Sequence, residues 1–183
     1  MQARLIIPVK QLDNAKQRLS GVLSAAQRQK LCTAMLEDVL DVAATCDSID
    51  AICVVTDDDE VRNIAAAYGA EVMAEPETPG LIPTVTHAAK ELKKAGVGAM
   101  VFLPCDVPLV TVEELDVMLS GLDAATPAFR IAPASDLGGS NCVVCVPPDC
   151  ITFGLVKIVS GVTLGLQENG VLSPWSPHCP VLG

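Results

Sequence analysis

Three cations, Lys10, Lys16 and Arg18, follow the apolar run Leu5-Ile6-Ile7-Pro8-Val9, and one carboxylate, Asp106, follows a second run ending in Phe102-Leu103-Pro104-Cys105. Each apolar run reads as a buried strand, so each polar group falls at a strand end, where open α/β sheets bind ligands. Cations offset the charge of phosphate oxygens, and a carboxylate at a strand end can hold Mg2+ beside them. The chemistry this points to is on a nucleoside triphosphate. A solvated basic loop and a turn aspartate would present the same residues, so neither segment decides the question alone.

Other polar residues invite the same two readings. Asp57 and Asp58 follow a strand and supply helix-capping acceptors, with contact to a base or ribose as the alternative. Gly138-Gly139-Ser140-Asn141 offers backbone amides and a hydroxyl to a phosphate, or simply turns a hairpin. His87 and His178 have no nucleophile or metal-ligand context nearby in sequence and receive no catalytic role. Neither a GxGxxG nor a GxxxxGK[ST] pattern occurs, so cations must substitute for a glycine-rich phosphate cradle.

The elements that must position these groups alternate. Strands are expected at Arg4–Val9, Ala51–Thr56, Ala70–Ala74, Ala99–Leu103, Phe129–Ala132 and Asn141–Val146. Pro8 marks where ladder pairing must stop. Ser24-Ala25-Ala26-Gln27 and Thr111-Val112-Glu113-Glu114 are capping-box patterns. The first opens a long helix to about Thr45, with Leu31, Met35 and Val39 beside Leu36 and Leu40 as its apolar stripe; the second buries Leu115, Met118, Leu119 and Leu122. Val61, Ile64, Ala65 and Tyr68 line a helix ended by Gly69, and Val85, Ala88, Ala89 and Leu92 line one closed by Gly96. This alternation predicts an α/β fold, a mostly parallel sheet with helices on both faces.

Half of the 183 residues are apolar, which excludes a disordered or fibrous chain and fits one domain over 1–183. A formal charge of −10 repels nucleic-acid backbones, so a nucleotide must be held by a local basic cluster. No apolar run reaches the roughly 18 residues of a membrane span and no signal-peptide core follows Met1, so the expected location is cytoplasmic. The eight cysteines fall mainly in apolar periodic segments, as reduced core thiols do. Cys142 and Cys145 have metal-like spacing, yet residues three apart in a strand point to opposite faces.

In order along the chain, PVK, AKQRL, TDD, GAEVMAEP, LPCDVPLV, APASDLGGSNCVV and PPD resemble the phospholactate, phosphoenolpyruvate or 3-phosphoglycerate guanylyltransferases of deazaflavin-coenzyme biosynthesis. These are similar in turn to the molybdenum-cofactor guanylyltransferases. The resemblance covers about residues 3–154. It implies a Rossmann-like nucleotidyltransferase fold and transfer of GMP from GTP to a small phosphorylated carboxylic acid, with release of pyrophosphate. It further implies Pro8, Lys10, Lys16, Arg18 and Asp57 as the nucleotide site, and Lys16, Arg18 and Asp106 as catalytic. Asp106 is the implied Mg2+ ligand, and Ser140 and Gly154 lie near the acceptor phosphate. A homodimer is compatible with this reading; nucleic acid and membrane partners are not.

Two departures accompany the match. Leu155-Val156-Lys157-Ile158-Val159 follows Phe153-Gly154 where the family carries a Gly-x-x-Ser-Phe turn, and the family's late Asp-x-Asp segment has no counterpart, so 155–183 is expected to be divergent or truncated. Leu81-Ile82 stands where the family has Leu-Asn. The alternatives are a catalytically weakened nucleotide binder of the same fold and a related nucleotidyltransferase acting on a sugar phosphate or molybdopterin.

Overall fold

The computed structural model of the chain describes residues 1–12, 15–134 and 139–153. Six strands form one sheet: β1 (Ala3–Pro8), β2 (Ala51–Val55), β3 (Glu71–Met73), β4 (Ala99–Phe102), β5 (Ala128–Pro133) and β6 (Ser140–Val146). Four helices connect them: α1 (Ala25–Thr45), α2 (Asp59–Ala67), α3 (Leu81–Lys94) and α4 (Val112–Leu119). The strand order is β3-β2-β1-β4-β6-β5. β3, β2, β1 and β4 run parallel, whereas β6 is antiparallel to both β4 and β5. The expected mostly parallel sheet is therefore present, closed on one edge by a hairpin.

Strand alternation divides the core in two. Leu5, Ile7, Ile52, Val54, Val101 and Val144 pack beneath α1, α2 and α4. Ile6, Cys53, Val55, Met100, Phe102 and Val143 point the other way and meet α3. Cys142 and Cys145 go to opposite clusters, as their spacing in a strand requires. All seven cysteines among the described residues are free thiols. Among those residues no helix is long and apolar enough to cross a membrane.

Both expected capping boxes form. Ser24 accepts from the Gln27 amide while Gln27 returns a bond to Ser24, and Thr111 and Glu114 do the same. The stripe of α1 differs from the expected one. Cys32, Leu36, Val39, Leu40 and Ala43 are buried together with Arg28, while Leu31 is 37% exposed. Arg28 hides the true period, because a charged residue at the head of the buried face reads as solvent-facing. Of the acidic run after β2, Asp58 alone caps α2, its Oδ1 accepting from the Glu60 and Val61 amides. Its Oδ2 also accepts the Leu12 amide at 3.0 Å, which ties the loop after β1 to the start of α2.

Pro8 is the point at which β1 parts from β4. Pairing with β4 ends at Ile6–Phe102 and the bond from the Leu103 amide to the Ile6 carbonyl, whereas pairing with β2 continues through Pro8–Val55 to the bond from Val9 to Val55. In a parallel sheet the amide of residue 8 would face the β4 side, and proline has none to orphan there.

Two caps with different duties should differ in cost. Thr111→Ala removes a cap alone and should destabilise by about 1 kcal/mol. Asp58→Ala also orphans the half-buried Leu12 amide, adding roughly 1–3 kcal/mol. Urea unfolding of the two variants checks this: equal losses would mean that the Asp58–Leu12 bond does not form in solution.

Candidate active site

The order β2-β1-β4 makes the carboxyl edge between β1 and β4 a switch point. From β1 the chain moves outward to β2 and β3, then crosses back to β4 on the other side. Adjacent loops leave in opposite directions at such a point and open a crevice. A cleft of about 700 Å3 lies there, lined by Pro8 to Leu12 after β1, Val55 and Asp57 after β2, Glu75 after β3, and Phe102, Pro104, Cys105 and Asp106 after β4. It reaches across four strand ends, roughly 14 Å at about 4.8 Å per strand interval.

Lys16 and Asp106 meet in this cleft. The ammonium lies 2.8 Å from Asp106 Oδ2, joining two loops 90 residues apart in sequence. Lys16 adopts φ 47° and ψ 43°, and it is the one non-glycine residue among those described with positive φ. Left-handed geometry costs an L-residue roughly 1–2 kcal/mol, so the surrounding loop must impose it. After Lys16 the chain makes a single 3-10 turn over Gln17–Leu19, held by the Leu19 amide on the Lys16 carbonyl at 2.8 Å.

The other candidates are distributed unevenly. Lys10 and Pro8 line the cleft with Lys16. Arg18 is exposed and does not line it. Asp57 lines the cleft and, rather than capping α2, accepts the Glu75 amide at 3.2 Å and an ion pair from Arg62 at 3.4 Å. Ser140 begins β6, three residues before the Val143–Phe102 pair. Because β6 is antiparallel to β4, Ser140 extends past the carboxyl edge, on the side of the sheet where the cleft opens. It does not line the cleft itself. Gly139 closes the β5–β6 connection by accepting the Ala134 amide, and Gly154 lies outside the described residues.

Sequence reasoning missed three contributors. Arg28 is 8% exposed and donates from Nε to the Ala15 carbonyl at 3.3 Å and from Nη1 to the Leu23 carbonyl at 2.9 Å, straddling the basic loop. Glu75 brings a second carboxylate to the end of the cleft away from Lys16. Thr84, buried in α3, donates to the Gly80 carbonyl and lines the wall opposite α1. Arg28 could have been found only by asking why a cation interrupts an apolar stripe.

Two thiols flank the ion pair. Burial raises the Cys105 thiol to about 11, helped by the Asp106 charge and by Cys32 and partly opposed by Lys16. Cys32 is also raised, first by burial, with Lys16 pulling the other way. Both are therefore protonated at neutral pH and serve as apolar walls, not nucleophiles. Among the described residues no group of three or more His, Cys, Asp or Glu side chains gathers to hold a metal. Asp106, paired with Lys16, is the exposed carboxylate at the β4 end of this cleft.

Residues 3–156 match the family described as guanylyl transferase CofC like. The phosphoenolpyruvate guanylyltransferase of Roseiflexus castenholzii is 40% identical over 141 residues, which are 77% of this chain and 62% of that protein. The protein of the same name from Roseiflexus sp. strain RS-1 is 35% identical over 153 residues, 84% of this chain and 66% of that one. The chain thus spans just under two-thirds of the length of these relatives. Among solved structures, a Desulfovibrio desulfuricans G20 protein named for nucleotide-diphospho-sugar transfer superposes with a TM-score of 0.67 at 20% identity, covering 87% of this chain and 73% of that one. A cytidylyltransferase from Leptospira borgpetersenii gives 0.54 at 14%, over 82% and 62%. These structures share the fold, and the match over 3–156 with relatives at 35–40% identity decides the kinship: the chain belongs to the guanylyl transferase CofC like family.

Proposed function

We propose that this chain transfers GMP from GTP to the phosphate of a small phosphorylated carboxylic acid, phosphoenolpyruvate, 2-phospholactate or 3-phosphoglycerate, and releases pyrophosphate. The observation that carries this reading is the meeting of Lys16 with Asp106 in the switch-point cleft of a chain of this family. Curated relatives are named for phosphoenolpyruvate, which makes that acid the first to test.

The reaction asks little acid–base chemistry of the protein. An acceptor phosphate oxygen, already anionic, forms a bond to the α-phosphorus while the bond from that phosphorus to the bridging oxygen breaks, and pyrophosphate leaves with the electron pair. No proton need move, so catalysis is positioning and charge compensation. Lys16 meets the first need from the β1 loop by turning its ammonium from Asp106 to a phosphate oxygen, and Lys10 lies on the same wall. Asp106 then has an open carboxylate, the group that would hold Mg2+. When bound, Mg2+ supplies charge neutralisation and Lewis-acid polarisation at phosphate oxygens. Cys32, Cys105 and Phe102 give the site apolar walls, against which fixed charges act more strongly than in water.

The second reading is a nucleotide binder of the same fold with weakened catalysis. The two differ in pyrophosphate release from GTP, measured with and without each acid.

Lys16→Ala should raise the GTP dissociation constant roughly 10- to 100-fold, the scale of a lost charge-assisted bond of about 1.5–3 kcal/mol. Arg18→Ala, at an exposed site outside the cleft lining, should change it only about twofold. Calorimetry with GTP separates them, and equal losses would return Arg18 to the phosphate site.

Asp106→Asn keeps the shape and removes the charge. Magnesium-dependent pyrophosphate release should collapse, while the stability loss stays under about 1 kcal/mol, because the pair it breaks is solvent-exposed. Retained turnover would move the metal site elsewhere.

Cys105 gives a reactivity test with a defined sign. A thiol raised to about 11 is almost wholly protonated below pH 9 and gains nucleophilic thiolate only as pH climbs toward 11. Iodoacetamide labelling, read by peptide mass, should be slow at pH 7.5, accelerate up to that range, and be suppressed by GTP. Fast labelling at neutral pH would contradict the buried environment.

A further inference from the structure

Among the described residues classed as buried, Arg28 is the single charged one. Its place is costly in two ways. It lies in the first turns of α1, where the helix dipole disfavours a cation, and a guanidinium leaves water at a penalty unless its donors are satisfied. An apolar residue would extend the Cys32–Leu36–Val39 stripe at lower cost. What Arg28 contributes instead is two bonds to main-chain carbonyls on either side of the basic loop, Ala15 at one end and Leu23 at the other.

Those carbonyls matter because of what adjoins them. The peptide joining Ala15 to Lys16 is planar, so holding the Ala15 carbonyl fixes the plane that precedes the Lys16 Cα. The plane that follows is held by the Leu19 amide on the Lys16 carbonyl. With both planes fixed, the left-handed φ and ψ of Lys16 are determined, and its side chain goes into the cleft toward Asp106. The segment from Pro8 to Ser20 contains no glycine to adopt this geometry freely. A lysine amine cannot replace the fork, since a single compact ammonium cannot span two separated carbonyls as a planar guanidinium does.

We propose that Arg28 is a positioning residue for the nucleotide phosphates: it straps the 15–23 loop to α1 and thereby sets Lys16 in the cleft without itself touching substrate. Its catalytic consequence rests on the guanylyl-transfer reading, whereas the strap does not.

The experiment uses the full chain and three variants: Arg28→Lys, Lys16→Ala, and the two combined. Limited trypsin digestion reports the loop directly, because Lys16–Gln17 and Arg18–Leu19 are tryptic bonds within it. Calorimetry with GTP reports the phosphate site, and a melting curve reports the fold. Arg28→Lys should melt within a few degrees of the parent, be cut at the loop bonds at least tenfold faster, and bind GTP at least tenfold more weakly. The combined variant should bind GTP no more weakly than Lys16→Ala, since a residue that acts through Lys16 has nothing to add once Lys16 is gone. Unchanged digestion, or losses that simply multiply in the combined variant, would overturn the proposal. Should Arg28→Lys not fold, Arg28→Gln, which keeps an amide donor, takes its place in the same measurements. If the parent chain binds GTP no better than ATP or UTP and releases no pyrophosphate, the transfer reading fails, while accelerated cleavage at Lys16 still decides for or against the strap.

Discussion

The site depends on the divergence of β4 from β1. Parallel strands must be joined by crossovers, and a central strand with neighbours added first on one side and then on the other leaves a gap at its carboxyl edge that no loop covers. Here the gap begins where pairing with β4 ends at Ile6 while pairing with β2 runs on to Val55. A proline at position 8 suits this place because the missing amide faces the departed strand. Two loops with opposite charge leave from the two sides, and their proximity follows from the register of the strands below.

That juxtaposition explains how an acidic chain can offer an anion site. A net charge of −10 gives long-range repulsion of a polyphosphate, which salt screens beyond about 8–10 Å. At contact distance the local arrangement decides, and Lys10 and Lys16 share one wall of the cleft. Asp106 holds Lys16. The pair is partly exposed and so worth at most about 1 kcal/mol, weak enough for a phosphate to displace it. A tight buried pair in the same place would hold Lys16 against exchange.

Much of this was legible in sequence because it is local. Capping boxes at Ser24 and Thr111, the positive-φ glycines at 69 and 96, and the contiguous apolar strands each depend on neighbours a few residues away. A hairpin before β6 was one reading of Gly138-Gly139, but its antiparallel pairing with β4 was not legible, because Asn141–Val146 is apolar on both faces and reads alike in either direction. Leu31 entered the expected stripe because Arg28 disguised the real period. Lys10, Lys16 and Asp106 could be named from type and position, but the contact between the last two depends on strand register, which no local pattern encodes. Arg18 illustrates the converse: two residues from Lys16 and equally basic, it sits within the 3-10 turn Gln17–Leu19 and outside the cleft lining.

The cleft also has a polarity along its length that suits an asymmetric ligand. Lys16 and Asp106 stand at the β4 end, and Asp57 and Glu75 at the β2–β3 end. Asp57 is held by the Glu75 amide and Arg62, which orient its carboxylate. A polyphosphate placed against Asp57 and Glu75 would meet like charge, whereas a group rich in hydrogen-bond donors would meet acceptors. On the proposed reading, the phosphates of GTP would lie at the Lys16 end and the nucleoside at the acidic end. On that reading the reacting phosphorus would face the β4 side, beyond which Ser140 begins the antiparallel strand, and the acceptor would approach from there, the opposite end of the cleft being taken by the nucleoside.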